Sequence, residues 1–434
     1  MMAPDQSLKK HVADLIKPDR VHRDIYTDPD IFDLEMDTLF SRAWMYVGHV
    51  SQIPNKGDYI TTRLGPQDVI IMRDNDGEVN IFHNRCPHRG PHLCGNSRGN
   101  TKRIVCPYHA WSFTLKGKFF GMPFPEEYPQ ECLKSEFDLT RVEDVESYRG
   151  FIFARLKPGG VDLMTYLGEA RSGFDDIIDR SPEGEIEIIP GAIGHRYRAN
   201  WKMMFENLND ILHPMGAHAS AATAINSVSN PAKLHPVTKS LVGSSKMMPV
   251  LPKLQSRITR YGHSYATGLI SVINQEIPKG DHYHALAKAY GAVRAEEILK
   301  TDRHLMLIYP SSNVNGAQCT IRVVRPLSVN ETEVWGYAFR LKGAPEEVTR
   351  NSVFYCNIAT SGFSPVVADD LEIYERAQQV HERGMTDWVN VARGYRQEAD
   401  EGRNAPPPAT SEEYIRNQYR VWLEFLTGDA PCQA

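Results

Sequence analysis

The sequence predicts an α+β protein of two domains, and three observations carry the prediction. Short strand-like runs separated by turn signals fill residues 46–160. Beyond residue 160 helical and strand patterns mix, and three alternating runs read as one antiparallel sheet flanked by helices. The chain has 434 residues, too many for one small domain. The expected layout is a helical segment at 1–45 packing on the C-terminal domain, an all-β domain at 46–160, and an α+β domain at 161–434.

The elements follow in order. Ile31-Phe-Asp-Leu-Glu-Met36 with Leu39-Phe40 places apolar residues near the helical period, so the stretch to about Tyr46 reads as helical. Asp68–Arg73, the turn Asn75-Asp76-Gly77 and Val79–His83 read as a β-hairpin. Arg103–Val105, Trp111–Leu115 and Phe151–Ala154 continue the strand pattern, and Lys157-Pro-Gly-Gly160 marks a boundary. Next come a helix at Leu163–Asp179, strands at Glu185–Ile189 and Gly194–Arg198, and a helix from Trp201 to about His213. His304–Tyr309, Gln318–Val324 and Thr332–Arg340 alternate as strands of the sheet. Pro345–Gln379 is helical with a break near Gly362 and Pro365, Asn404–Pro408 is a linker, and Ser411–Leu426 is a terminal helix.

Composition narrows the function classes. A content of 41% hydrophobic and 24% charged residues suits a globular protein with buried cores, and a net charge of −5 speaks against a nucleic-acid partner. Met1–Lys10 is polar and lacks an apolar signal core, and no apolar run nears the roughly 18 residues of a membrane span. A cytoplasmic protein without membrane contact is expected. Seven cysteines, an odd number spread over a long chain, argue against a disulfide framework. In a reducing compartment, a close Cys/His cluster then reads as a metal site.

One such cluster exists. Cys86-Pro87-His88-Arg89-Gly90 and Cys106-Pro107-Tyr108-His109 supply two Cys-His pairs separated by 17 residues, each in a loop beside a strand. Thiolates suit iron–sulfur clusters or zinc. A zinc finger groups two Cys and then two His, whereas here the order alternates, which fits a [2Fe–2S] centre with two Cys on one iron and two His on the other. His83 and His92 lie nearby, but their spacing does not fit; they read as ordinary surface or core histidines.

These loops, with Ala110-Trp111 following the second, resemble the Rieske signature of aromatic-ring-hydroxylating oxygenases. The family has Gly or Gln where this chain has Ala110, a departure that leaves the ligands intact. No extra cysteine follows each loop, as it does in respiratory Rieske proteins, so the resemblance is to the low-potential oxygenase class.

A second site is expected, because more than half the chain lies beyond Gly160 and the cluster alone only moves electrons. In Asn200–His218, Asp210 and His213 are three apart and would share a helix face. Pro214 and Gly216 would bend the chain and return His218 to the side of His213. Two His and one carboxylate make the facial triad of non-haem Fe(II) oxygenases. Glu206, Asn207, Asp210, His213 and His218 match the family's Glu-Asn-x-x-Asp-x-x-His-x4-His motif, and Ser364–Arg376 resembles its late Asp-Asp element. There the second acid is usually the ligand, so the resemblance implies Asp370 rather than Asp369. The other reading of this pair is a helix start, where capping and the helix dipole favour Asp.

The resemblance implies the large (alpha) subunit of a Rieske non-haem iron oxygenase: an all-β Rieske domain, a helix-grip-like catalytic domain, a [2Fe–2S] cluster on Cys86, His88, Cys106 and His109, and Fe(II) on His213, His218 and Asp370. It assigns catalytic work to Asp210 and Asn207. In the family's trimers the second cluster histidine of one chain meets the motif aspartate of the next. His109 would thus hydrogen-bond Asp210 across subunits, with Asp210 also bracing His213 and not binding iron. The assembly would be α3, or α3β3 with a small beta subunit.

No Gly-x-Gly-x-x-Gly and no ferredoxin-type cysteine cluster occurs, so a separate reductase or ferredoxin is expected to supply electrons. The texture around Tyr108–Ser112 and Ala199–Lys202 resembles subfamilies acting on aromatic carboxylates, with O2 as co-substrate and a cis-dihydrodiol or ring-hydroxylated product. Met204, Phe205, Ile211, Met215 and residues of Ala219–Arg303 are candidate pocket walls or plain core, and an Arg or Lys within Lys233–Arg260 could pair the carboxylate. Two alternatives are a Rieske monooxygenase or demethylase on a non-aromatic or methoxylated compound, and a pure electron carrier.

Overall fold

The computed structural model describes residues 6–129, 136–230, 233–235, 237–238, 249–268, 277, 279–301, 303–398 and 406–428. Its contacts divide the chain into one compact unit at Met36–Leu163 and another made of Met1–Glu35 with Met164–Ala434.

The Met36–Leu163 unit is built of small antiparallel sheets. One orders Val79–His83, Gln67–Arg73, Asp58–Leu64 and Arg98–Asn100. Two three-stranded sheets join Phe119–Gly121, Ser112–Phe113 and Ile104–Val105, and Asp144–Tyr148, Phe151–Arg155 and Met45–His49. The hairpin at 67–83 closes because the Asp74 carboxylate accepts the N–H groups of Asp76 and Glu78 while Gly77 takes a positive φ of 91°. Ile70, Met72, Phe82, Phe113 and Leu115 form a core that also holds Cys86, Cys106 and Trp111.

The other unit carries an eight-stranded antiparallel sheet. Its order is Ile186–Ile188, Glu331–Leu341, Thr320–Ser328, Ser312–Asn315, His304–Ile308, Ser264–Thr267 and Gln255–Ile258, with Ile193–Tyr197 also paired to Glu331–Leu341. Burial largely alternates along Glu331–Leu341, as a strand with one covered face requires. The helix Glu346–Thr360 packs on it so closely that a side chain at Gly336 would stand 2.3 Å from the Thr360 hydroxyl. The helix Pro365–Arg383 follows; Ser364 Oγ caps the Val366 N–H and Pro365 fills its first turn.

Two expectations are corrected. Residues 16–22 are not helical: Ile16–Lys17 and Arg20–His22 form a small hairpin that pairs with Trp388–Asn390. The helix expected from Trp201 to His213 runs only over Lys202–Leu208 and re-forms as the single turn His213–Gly216. Asn209 and Asp210 interrupt it by bonding elsewhere: the Asn209 amide donates to the Leu305 carbonyl, and the Asp210 carboxylate accepts the Leu212 N–H. Pro214 therefore lies in a first turn, where its missing N–H costs nothing, and the bend precedes it. Lys239, Lys246, Cys132, Cys432 and the first part of the 404–408 linker lie outside the described residues.

Candidate metal centres

The first site grows from one loop design used twice. In Cys86–Pro91 the cysteine carbonyl accepts the N–H of Gly90, and the cysteine N–H donates to the Pro91 carbonyl, at 2.9 Å each. In Cys106–Trp111 the same bonds join Cys106 to Ala110 and Trp111, at 3.1 and 2.7 Å. The fifth residue of each loop has positive φ, 82° at Gly90 and 56° at Ala110. Glycine takes that conformation freely; alanine does so at a cost of about 1 kcal/mol. Each loop folds its cysteine inward and lifts its histidine to the rim. Cys86 and Cys106 are buried and their thiols touch, and the His88 and His109 rings stand 4.7 Å apart.

Trp111 stacks flat on His88, and Tyr108 on His109, which fixes both rings. Burial, with the neighbouring thiol, pushes the Cys86 thiol up, and burial, with the His109 charge, pulls the His88 imidazole down. The enclosed His109 Nδ1 has no hydrogen-bond partner among the described residues. Two adjacent thiols and two adjacent imidazoles, one with an orphaned nitrogen, suit a [2Fe–2S] centre. His83 and His92 stand outside the set; His92 is exposed, 3.2 Å from Asp68.

The second site gathers residues far apart in sequence. His213 Nε2 lies 3.7 Å and His218 Nε2 3.6 Å from the same oxygen, Oδ1 of Asp370. The His213 Nδ1–H donates to the Asp210 backbone carbonyl at 2.5 Å, which turns Nε2 toward Asp370. Asn207 donates to Asp370 Oδ1 at 3.2 Å. Asp369 sits behind: its carboxylate accepts from Ser220 Oγ and stands 3.6 Å from His218 Nδ1. Burial pushes the Asp370 carboxyl up and pulls the His213 imidazole down. Two imidazoles and a part-buried carboxylate converging on one point are a set that could hold Fe(II) facially.

Buried polar groups position this site. Glu35 accepts from Lys202 Nζ at 2.5 Å and from the Trp201 and Trp422 indoles at 2.9 and 2.7 Å, which pins the start of the Lys202–Leu208 helix. Asn200 N–H donates to Gln378 on the helix that carries Asp370. Glu206 faces away from the histidines; it accepts from Tyr26 and Tyr419, and burial pushes its carboxyl up to about 6.

Asp210 braces His213 through its backbone, and its carboxylate meets Leu212 N–H at 2.8 Å and Arg393 at 3.3 Å. Phe205 is core, packed against Trp201 and Tyr309; Met204 is buried, and Ile211 and Met215 line a small apolar cluster. Lys233, Lys253, Arg257 and Arg260 are all exposed. A further cation of this unit, Arg322, is part-buried and reaches the Ala359 carbonyl at 3.1 Å; it was not among the candidates the sequence offered. Thr320–Ser328 has no two-residue alternation of its own, so the face Arg322 takes is legible only once the register is known.

The family described as "Rieske [2Fe-2S] domain" matches residues 43–147, and "Ring hydroxylating alpha subunit (catalytic domain)" matches residues 190–428. The chain is 34% identical to toluate 1,2-dioxygenase subunit alpha of Pseudomonas putida, over 88% of this chain and 84% of that protein. It is 30% identical to anthranilate 1,2-dioxygenase large subunit of Acinetobacter baylyi, over 94% and 89%. A solved structure of naphthalene 1,2-dioxygenase with indole in its active site superposes with a TM-score of 0.79 at 27% identity, covering 95% of this chain and 93% of that one.

Proposed function

The chain belongs to the alpha subunits of ring-hydroxylating Rieske oxygenases, and we propose that within that family it hydroxylates an aromatic carboxylate. It is a terminal oxygenase component, with a Rieske [2Fe–2S] domain and a catalytic domain for mononuclear Fe(II), that takes electrons from a separate reductase or ferredoxin. Cys86, His88, Cys106 and His109 hold the cluster in this reading, and His213, His218 and Asp370 hold the iron. The observation that carries it is the convergence of both histidine Nε2 atoms on one Asp370 oxygen. Bound there, Fe(II) supplies activation of O2 at the positions a facial triad leaves open.

The chain's own residues do the rest. The Asp210 carbonyl holds the His213 tautomer, Asn207 orients the Asp370 carboxylate, and Asp369 backs His218. The two named relatives act, by their names, on toluate and anthranilate, both aromatic carboxylates. In this reading the assembly is cytoplasmic, α3 or α3β3, and His109 of one alpha chain hydrogen-bonds Asp210 of the next.

The test supplies the purified protein with a surrogate reductase, NADH and labelled O2, and follows a panel of aromatic acids. A cis-dihydrodiol or ring-hydroxylated acid with label on the ring is expected. Products from neutral hydrocarbons alone, or demethylation without ring oxygen, sink the carboxylate reading.

A further inference from the structure

We propose that Arg322 is the anchor for the carboxylate of the substrate, so that the catalytic unit selects aromatic acids over neutral aromatics; this rests on the aromatic-acid reading above and names the side chain responsible. The argument begins with register. Arg322 pairs with Asn313 on one neighbouring strand and with Gly336 on the other. Directly paired residues share a sheet face. Gly336 looks at the helix Glu346–Thr360, because a side chain there would meet Thr360. Arg322 therefore projects from that face, and its Nη1 donates to the Ala359 carbonyl of that helix at 3.1 Å. The helix bearing Asp370 comes next in the chain, and the link between the two helices packs beside that acid: a side chain at Gly362, three residues past Ala359, would stand 3.8 Å from Leu371, the neighbour of Asp370.

The guanidinium is held like a tool. Asn313, 2% exposed, accepts from both Nε and Nη2, at 3.3 and 2.9 Å, and its own amide donates to the Met306 carbonyl. Of the five guanidinium N–H donors, those bonds leave one uncommitted on each terminal nitrogen. That spare capacity suits the two oxygens of a carboxylate.

Charge points the same way. Arg325, three residues on, is paired with Glu333 at 3.6 Å. Among the described residues no acid stands in ion-pair contact with Arg322. A part-buried cation without a counter-ion is costly to keep. The nearby interior is polar rather than apolar, with Asn315 donating to the Tyr355 hydroxyl at 3.0 Å. As a mere prop for the end of the Glu346–Thr360 helix, Arg322 would need only the Ala359 bond.

The experiment measures binding, not turnover. Benzoate, anthranilate and toluate, each beside its neutral amide, are titrated into the iron- and cluster-loaded enzyme by calorimetry for the wild type, Arg322→Gln and Arg322→Lys. Wild type is expected to prefer each acid to its amide. Arg322→Gln should weaken the acids by at least about 30-fold and the amides by less than about 3-fold, the scale of lost charge-assisted hydrogen bonds. Arg322→Lys should fall between and, should the glutamine variant not fold, carry the test with a loss of about 10-fold in acid-over-amide selectivity. If wild type prefers the acids and the variants keep that preference, or weaken acid and amide alike, Arg322 is not the anchor and the aromatic-acid reading stands. If wild type shows no preference for the acids, the aromatic-acid reading fails and the anchor falls with it.

Discussion

The donors near residues 86–109 come from two copies of one loop, while those near 213–370 come from a broken helix and a second helix more than 150 residues later. The loop site is set by local backbone bonds: a cysteine carbonyl to the fifth residue, a cysteine N–H to the sixth, and rings stacked on both histidines. The other site is set by distant tethers. Asn207 reaches Asp370, Asn200 reaches Gln378, and Glu35 gathers Lys202 and two indoles. A locally framed site tolerates changes elsewhere in its unit, whereas a tethered site feels changes at every anchor.

The largest expected effect separates the two outright. Asp370→Ala should remove one iron per chain and cut ring hydroxylation by more than about 100-fold, beyond what losing an outer partner costs, with the cluster absorbance unchanged. Cys106→Ser should do the converse: lose the cluster spectrum and keep the mononuclear iron. Metal analysis beside visible spectra decides both, and loss of both metals in either variant would break the comparison.

Asp210→Ala is the next test, because Asp210 belongs to the tethered site yet is proposed to serve a neighbour's loop site. Both metals should remain and turnover should fall by about 100-fold. Full activity would defeat the bridge.

Acid should strike the two units alike. Burial holds His49 in one unit and His263 in the other down to about 4. His263 is locked neutral: Nε2–H donates to the Tyr166 carbonyl, and Nδ1 accepts the Tyr309 N–H. A histidine with a depressed folded pKa contributes fully above its unfolded value of 6.5, and the contribution drains away as pH falls toward 4. Each is worth up to roughly 3 kcal/mol across that window. Unfolding followed between pH 7.5 and 4.5 should show stability falling in both units, with a shallower fall in His263→Gln for its own unit only.

A smaller effect sharpens the tethered site. Asp369→Asn should weaken iron binding about 10-fold in chelator competition, with Ser220→Ala weaker still. The smallest belongs to the loop site: Ala110→Gly should raise the melting temperature of the Met36–Leu163 unit, a gain of about 1 kcal/mol from relieving positive φ. An unchanged or lowered melting point would show that the second loop carries no strain there.

The same contrast explains what could be read in the sequence. The hairpin at 67–83, the long sheet strands and the helix pair split near residue 362 have periods and turn residues of their own, so local pattern revealed them. The cluster loops were legible for the same reason. Asp370 was reachable only through resemblance, since nothing near it in sequence says what it faces. The break at Asn209-Asp210 escaped because side-chain bonds to Leu305 and Leu212 N–H replace helical ones, and helical periodicity does not register such competition. The hairpin at 16–22 escaped because strands of two and three residues have no period, and their partner at 388–390 is almost a chain length away.

That last pairing bears on how the protein is made. The Met36–Leu163 unit is continuous and can close soon after it leaves the ribosome, whereas the unit around it cannot. Arg20–His22 must wait for Trp388–Asn390, Tyr26 for Tyr419, and Glu35 for Trp422. About 270 residues separate the end of the inner unit from the end of the chain, tens of seconds of synthesis at roughly 5–20 residues per second. During that interval the first 35 residues lack the partners made last, Trp388–Asn390, Tyr419 and Trp422, so chaperone demand should concentrate there, and a nascent chain stalled before residue 388 should present a finished β unit between two unfinished arms.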